Sequence, residues 1–298
     1  MRAERTRTIS VCVPAREEAA TIARVVASLV GLRENGVIDE VVVVDADSRD
    51  GTAAIAAELG ADVYRQAALL EQYGPVLGKG DAMWRALSVL KGDLVCFLDA
   101  DSENFGAHFA CGLLGPLVCE PDIAFVKGHY RRPFNHDGAV QPTGGGRVTA
   151  LTARPLLQAF YPELAGVHQP LAGEIAARRD LLTALPFSTG YAVEIALLLD
   201  VHAHVGLAAM AQVDLDVRQN RHQPLSELEH MAATVLATVT SRLRGEGRLL
   251  DASGGEPGLR RPPLAGLRAA GGYTGVPTGS FSATPASAVM RMAPSPDA

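Results

Sequence analysis

Val41-Val42-Val43-Val44-Asp45-Ala46-Asp47 and Leu94-Val95-Cys96-Phe97-Leu98-Asp99-Ala100-Asp101 are two apolar runs that end on the same tripeptide, Asp-Ala-Asp. An apolar run without alternation reads as a strand buried on both faces, the habit of parallel sheets covered by helices. Ile9–Val13, closed by Pro14, is a third such run, and Ala61–Tyr64 and Ile123–Tyr130 add two more strands. Helical patterns lie between them. Glu17–Leu32 carries Ile22, Val25, Val26 and Leu29 on one face; Thr52–Leu59 is capped by Ser48 and ended by Gly60. Asp81–Leu90 is closed by Gly92, and Phe109–Val118 follows. This alternation predicts an α/β fold with a mostly parallel, Rossmann-like sheet flanked by helices. Ligands of such sheets bind outside the carboxyl ends of the strands, where Pro14, Asp45 and Asp99 fall.

The second half is less regular. Thr149–Phe160 (interrupted by Pro155), Glu174–Leu185, Tyr191–His202 and Leu225–Arg244 read as helices, and Met210–Val217 as a strand. Beyond Asp251 the composition turns to Gly, Pro, Ala and Ser without period. The expected organisation is a first half over 1–140, a largely helical second half of the same domain over 141–252, and a mostly disordered tail over 253–298. A docked segment is expected at Arg260–Leu267.

The 298 residues are 48% hydrophobic and 20% charged, enough for a sizeable core. A net charge of −6 argues against general nucleic-acid binding and requires any anionic substrate to meet a local basic pocket. Cys12, Cys96, Cys111 and Cys119 form no CxxC pair and read as reduced core residues of a cytoplasmic protein. Met1–Thr8 does not have a signal-peptide pattern, and no run approaches the roughly 18 apolar residues of a membrane helix.

Two carboxylates two residues apart at a strand exit suit a hard divalent cation, itself often bound to a phosphate-bearing substrate. The Asp99–Asp101 pair is the stronger metal candidate, since Ser102 and Glu103 add oxygen donors; a solvated turn would look the same. The first tripeptide runs into Ser48-Arg49-Asp50-Gly51-Thr52, a turn able to cap a helix or bind a ligand. Lys79 stands between two glycines, either to approach an anion or as a solvated lysine. Gly144-Gly145-Gly146-Arg147-Val148-Thr149 combines close backbone approach, a guanidinium fork and a hydroxyl near a helix start, all suited to an anion. Tyr191 and Glu194, three apart on an expected helix, would share a face.

Val13-Pro14-Ala15-Arg16-Glu17-Glu18, Val44-Asp45-Ala46-Asp47-Ser48, Gly78-Lys79-Gly80 and Phe97-Leu98-Asp99-Ala100-Asp101 occur in the order and spacing of a GT-A nucleotide-sugar glycosyltransferase. With Gly144–Thr149, Gly190-Tyr191-Ala192-Val193-Glu194 and Arg260-Arg261-Pro262-Pro263, the chain resembles the glucosyl-3-phosphoglycerate synthase family and its mannosyl relatives over roughly residues 8 to 265. The resemblance implies a retaining transfer of glucose from UDP-glucose to the 2-hydroxyl of 3-phosphoglycerate with Mg²⁺ or Mn²⁺. GDP-mannose as donor, a polyprenyl-phosphate glycosyltransferase and a catalytically dead nucleotide-sugar sensor are the alternatives.

By the same resemblance, residues 1–140 become the nucleotide-sugar-binding half and 141–252 the acceptor-binding half. Pro14, Glu18, Asp45, Ser48, Lys79 and Asp99 are expected to bind the nucleotide sugar. Gly146, Arg147, Thr149 and Asn220 are expected at the acceptor. Lys79, Asp101, Tyr191 and Glu194 are the candidate catalytic residues. Asp101 is the expected principal metal ligand. In Arg218-Gln219-Asn220-Arg221-His222 the family's metal-binding histidine and a later asparagine look exchanged, which puts His222 ahead of Asn220 as third ligand. With no evident enzyme nucleophile, a front-face reaction is expected, in which the departing UDP helps deprotonate the acceptor. No membrane and no nucleic-acid partner are expected, and a homodimer is.

Overall fold

A seven-stranded sheet in the order β3-β2-β1-β4-β8-β5-β9 organises the computed structural model, which describes residues 7–136, 139–141, 144–220 and 224–249. All of these lie in one compact unit, Met1–Leu250. The tail over 253–298, with Arg260–Leu267, and His222 lie outside the described residues. In chain order the first elements are β1 (Ile9–Ala15), α1 (Ile22–Glu34), β2 (Glu40–Asp45), α2 (Thr52–Glu58) and β3 (Asp62–Arg65). Then come α3 (Lys79–Ala86), β4 (Leu94–Phe97), α4 (Ala107–Cys119), β5 (Phe125–Arg131) and a small hairpin of β6 (Phe134–His136) and β7 (Ala139–Gln141). The second half supplies α5 (Arg154–Phe160), β8 (Ile175–Arg178), α6 (Arg179–Ala184), α7 (Val193–Val205), β9 (Met210–Val217) and α8 (Leu225–Gly245).

The strands bury side chains on both faces, as their unbroken apolar runs require. Val11, Val13, Val41, Val43 and Cys96 face a core closed by Ile22, Val25, Val26 and Leu29 of α1 and by Phe109, Leu113 and Leu117 of α4. Cys12, Val42, Val44, Val95 and Phe97 point the other way, onto Met83 of α3, Leu182 of α6 and Val193, Leu197 and Val201 of α7. A third core joins Leu157 of α5 and Ile195 and Leu198 of α7 to Val235, Val239 and Leu243 of α8. Helix α7 therefore buries both of its flanks, which explains why it is apolar nearly all round.

The sheet is mostly parallel, as expected, with one departure. Glu174–Leu185 does not form a helix throughout: Ile175–Arg178 is a strand, antiparallel to both β4 and β5. Its residues have helical propensity, but two flanking strands offer their hydrogen-bonding edges there, and tertiary context overrides a weak local preference. Further corrections are local. Ser48 does not cap α2; Gly51 occupies that position with φ +94°, and the Ser48 hydroxyl accepts from the Glu17 amide at 2.9 Å. Helix α1 begins only at Ile22, because Glu17 adopts a left-handed φ of 55°. Thr149–Ala153 is a π-helical turn that runs directly into α5, and Pro155, the second residue of α5, follows it without breaking the helix. Cys12 and Cys96 are buried, but Cys111 and Cys119 are exposed on α4. Among the described residues, no helix is long and apolar enough to cross a membrane.

Candidate active site

The two Asp-Ala-Asp tripeptides leave their strands in different directions. Asp45 is buried; one carboxylate oxygen accepts from the Ser48 amide at 3.0 Å, and Asp47 pairs with Arg65 at 2.7 Å. These bonds shape the turn that presents Val44 and Ala46. Asp99 and Asp101, by contrast, stand at the junction of two cavities.

The first cavity, about 580 Å³, lies over the carboxyl ends of β1, β2 and β4 and is lined by Pro14, Arg16, Glu18, Val44, Ala46 and Val76, with Lys79, Asp99 and Asp101 at its inner end. The second, about 190 Å³, shares Lys79, Asp99 and Asp101 and continues to Gly146, Arg147, Thr149, Tyr191, Glu194 and Asn220. Of the residues expected from sequence, Pro14, Glu18, Lys79 and Asp99 line the first cavity, whereas Asp45 and Ser48 are not among its lining residues and hold its turn instead. Gly146, Arg147, Thr149, Asn220, Tyr191, Glu194, Lys79 and Asp101 all meet at the second.

Lys79 opens α3 behind Gly78, which has φ +82° and whose missing side chain lets the Gly190 backbone approach: an added Cβ would lie 2.9 Å from Gly190 Cα. The glycines on either side of Lys79 thus serve close docking of α3 against the segment before α7. That docking brings the Lys79 ammonium 2.7 Å from Glu194 and 2.5 Å from Asp99. Burial opposes the Lys79 charge, but Asp99 and Glu194 outweigh it and hold its pKa well above the usual lysine value. Gly173 closes this pair from behind, since a Cβ there would meet the Asp99 oxygens at 2.3 and 2.5 Å and Lys79 Nζ at 2.5 Å.

The central cation is Arg218, a residue that no site motif of the sequence singles out. Arg218, 3% exposed, follows β9, where the pairing register with β5 shifts between His129 and Arg131. A bulge of this kind re-aims the side chains beyond it. Its guanidinium reaches Asp99 at 3.1 Å and Glu174 at 2.9 Å, bonds Asp101, and donates to the Tyr130 hydroxyl at 2.9 Å. Tyr130 in turn donates to Glu174 at 2.8 Å. Burial would raise the Asp99 carboxyl, yet Lys79 and Arg218 hold it well below the usual carboxylate range. For Glu174 burial wins, and its carboxyl is pushed up despite Arg218. A charged residue directly after an amphipathic strand was the available signal for Arg218; Glu174 was hidden by the helical reading of its segment.

Asn220 donates to Asp101 at 3.1 Å and accepts from Arg132 at 2.8 Å. Tyr191 stands on a short 3₁₀ turn just before α7, not on the helix itself, and burial followed by the nearby Glu194 charge pushes its hydroxyl up to about 12. The Gly145 amide is bonded to the Arg132 carbonyl at 3.1 Å, so it packs the loop and does not point at a ligand. Lys127, buried on β5, donates to the Ala172 carbonyl at 2.8 Å, and burial brings its pKa down to about 8.

Among the described residues, no three His, Cys, Asp or Glu side chains form a complete metal site. The chemistry of the junction still fits a hard cation: Asp101 keeps its side chain 38% exposed at the mouth shared by both cavities, and carboxylate oxygen suits Mg²⁺ or Mn²⁺.

Residues 10–133 match the family model described as glycosyl transferase family 2. A glucosyl-3-phosphoglycerate synthase of Petrotoga mobilis is 43% identical over 243 residues, covering 81% of this chain and 75% of that protein. The solved mannosyl-3-phosphoglycerate synthase of Rubrobacter xylanophilus superposes with a TM-score of 0.76 at 50% identity, covering 84% of this chain and 78% of that one. A Mycobacterium tuberculosis glucosyl-3-phosphoglycerate synthase in complex with Mn²⁺, UDP-glucose and phosphoglyceric acid gives 0.74 at 46% identity, covering 84% and 82%.

Proposed function

The chain belongs to the glucosyl-3-phosphoglycerate synthase family, and on that premise we propose how its residues divide the transfer of glucose from UDP-glucose to 3-phosphoglycerate. The observation that carries the reading is the shared wall of Lys79, Asp99 and Asp101 between a nucleotide-sized cavity and a smaller one rich in arginine. The acceptor has one free hydroxyl, on C2, which is the group to be glucosylated.

Pro14, Glu18, Val44 and Ala46 wall the nucleotide, while Asp45 and Ser48 hold the turn that carries two of them. Lys79 and Asp99 meet the diphosphate and sugar where the cavities join. Asp101 would hold Mg²⁺ or Mn²⁺, which when bound supplies Lewis-acid stabilisation of the departing UDP. Arg147 and Thr149, at the start of a helical turn, take the acceptor phosphate, and Glu194 and Tyr191 orient hydroxyls at the junction.

The carboxylates facing the junction are all held by cations: Asp99 and Glu194 by Lys79, and Asp101 by Arg218. Such pairing weakens each as a nucleophile and supports the front-face course with retention. The glucose C1–O bond to UDP breaks, the acceptor 2-hydroxyl oxygen bonds C1 on the same face, and its proton passes to the β-phosphate of UDP.

The test is UDP release from UDP-glucose with Mn²⁺, with and without 3-phosphoglycerate, and with GDP-mannose as competing donor. Release that needs 3-phosphoglycerate and favours UDP-glucose is the expected result; release without acceptor, or preference for GDP-mannose, rejects it. Free thiols at Cys12, Cys96, Cys111 and Cys119 support a cytoplasmic setting, and Leu225 and Leu236, exposed on α8, support a homodimer that light scattering would weigh.

A further inference from the structure

Arg132 has no part in the scheme so far, although it lines the second cavity. It follows β5 and packs against the Gly144–Arg147 loop, where an added Cβ on Gly145 would lie 2.6 Å from its own Cβ. Lys79 and Arg218, the two cations at the Asp99–Asp101 end of the cavity, are held by carboxylates: Lys79 by Asp99 and Glu194, and Arg218 by Asp99, Asp101 and Glu174. Among the described residues, the side chain of Arg132 donates to a neutral partner, the Asn220 side-chain oxygen at 2.8 Å. Through Asn220 it stands two hydrogen bonds from Asp101, at the place where the reacting groups meet.

The acceptor in the proposed reaction carries two anionic groups. Its carboxylate is bonded to the carbon that bears the reacting hydroxyl, and its phosphate sits one carbon further away. The cation beside the junction therefore faces the carboxylate, and Arg147 beside Thr149 faces the phosphate. We propose that Arg132 is the specificity residue that reads the acceptor carboxylate and selects a phosphorylated hydroxy acid over a phosphorylated alcohol. The inference rests on the acceptor assigned above.

The experiment compares kcat/KM for 3-phosphoglycerate and for glycerol 3-phosphate, which lacks the carboxylate, in the wild type, Arg132→Met, Arg132→Lys and Arg147→Met. The wild type should favour 3-phosphoglycerate. Loss of one charge-assisted bond should cut that ratio about 10- to 100-fold in Arg132→Met. Arg132→Lys should recover part of it, and Arg147→Met should depress both acceptors while moving the ratio less than about threefold. If Arg132 only braced Asn220, both acceptors would fall together; an unchanged ratio in Arg132→Met overturns the proposal, as does a wild type indifferent to the carboxylate. Should Arg132→Met fail to fold by circular dichroism, the ratio in Arg132→Lys and Arg132→Gln decides in the same way. A wild type that releases no UDP with either acceptor defeats the functional reading itself, a result distinct from an active enzyme with an unmoved ratio.

Discussion

Arg218 shows how much chemistry one side chain can organise. A single buried guanidinium holds three carboxylates from two segments, Asp99 and Asp101 after β4 and Glu174 before β8. Like-charged carboxylates at such distances would repel without it. Gly173 works by absence, leaving room for the Lys79–Asp99 pair. Gly173→Ala should therefore separate that pair and lower kcat/KM for UDP-glucose by about tenfold or more, about 1.4 kcal/mol in barrier; steady-state kinetics at wild-type level would refute the close approach. Lys127 offers a pH test. Its folded pKa is near 8 against an ordinary 10.5, so between those values the unfolded chain binds more protons. Stability from this group is then gained as pH rises from 8 to 10.5 and lost as pH falls through 8. In denaturant titrations the wild type should gain on Lys127→Met across that window, by at most about 1.4 kcal/mol per pH unit; a constant difference would mean that Lys127 titrates normally.

At the scale of elements, two contacts build the site: α3 against the segment leading into α7, and β8 between β4 and β5. The first depends on Gly80, where a Cβ would come 1.9 Å from the Ser188 carbonyl. Gly80→Ala should push α3 away, cost about 1–3 kcal/mol in stability, and reduce turnover by parting Lys79 from Glu194. Gly115, in α4, has nothing within 4 Å of its added Cβ, so Gly115→Ala should stabilise by about 0.5–1 kcal/mol, the ordinary helix preference of alanine. Thermal melts of the two variants should move in opposite directions; a shift of the same sign would undo the distinction. The β8 segment shows why element type was only partly readable. β1, β2 and β9 announced themselves by pattern, and β9 has the expected bounds. Ile175–Arg178 carries no pattern of its own and becomes a strand because β4 and β5 leave a gap that only a strand can close.

At the scale of the whole molecule, the net charge of −6 makes a diphosphate and a phosphorylated acid poor ligands except where cations gather. Lys79 and Arg218, the cations nearest Asp99 and Asp101, are already paired with carboxylates, so little spare positive charge is left at that inner end of the cavity. Chelation should therefore abolish turnover and weaken UDP binding measured by calorimetry, and Mn²⁺ or Mg²⁺ should restore both; full activity in chelator would reject the role given to Asp101. Sequence by itself determined the parallel sheet, the strand ends where ligands bind and the candidacy of Asp99, Asp101, Lys79, Arg147 and Glu194. Those features are written in local runs and periodicities, because burial on both faces demands continuous apolar strands. Tertiary structure alone decided that Arg218 reaches Asp101 across 117 positions, that Asn220 does so across 119, and that Arg132 meets Asn220 across 88. No local pattern encodes such pairs; they exist because strand order and one bulge bring the carboxyl ends of β4, β5 and β9 to the same end of the sheet, where buried charges must find partners.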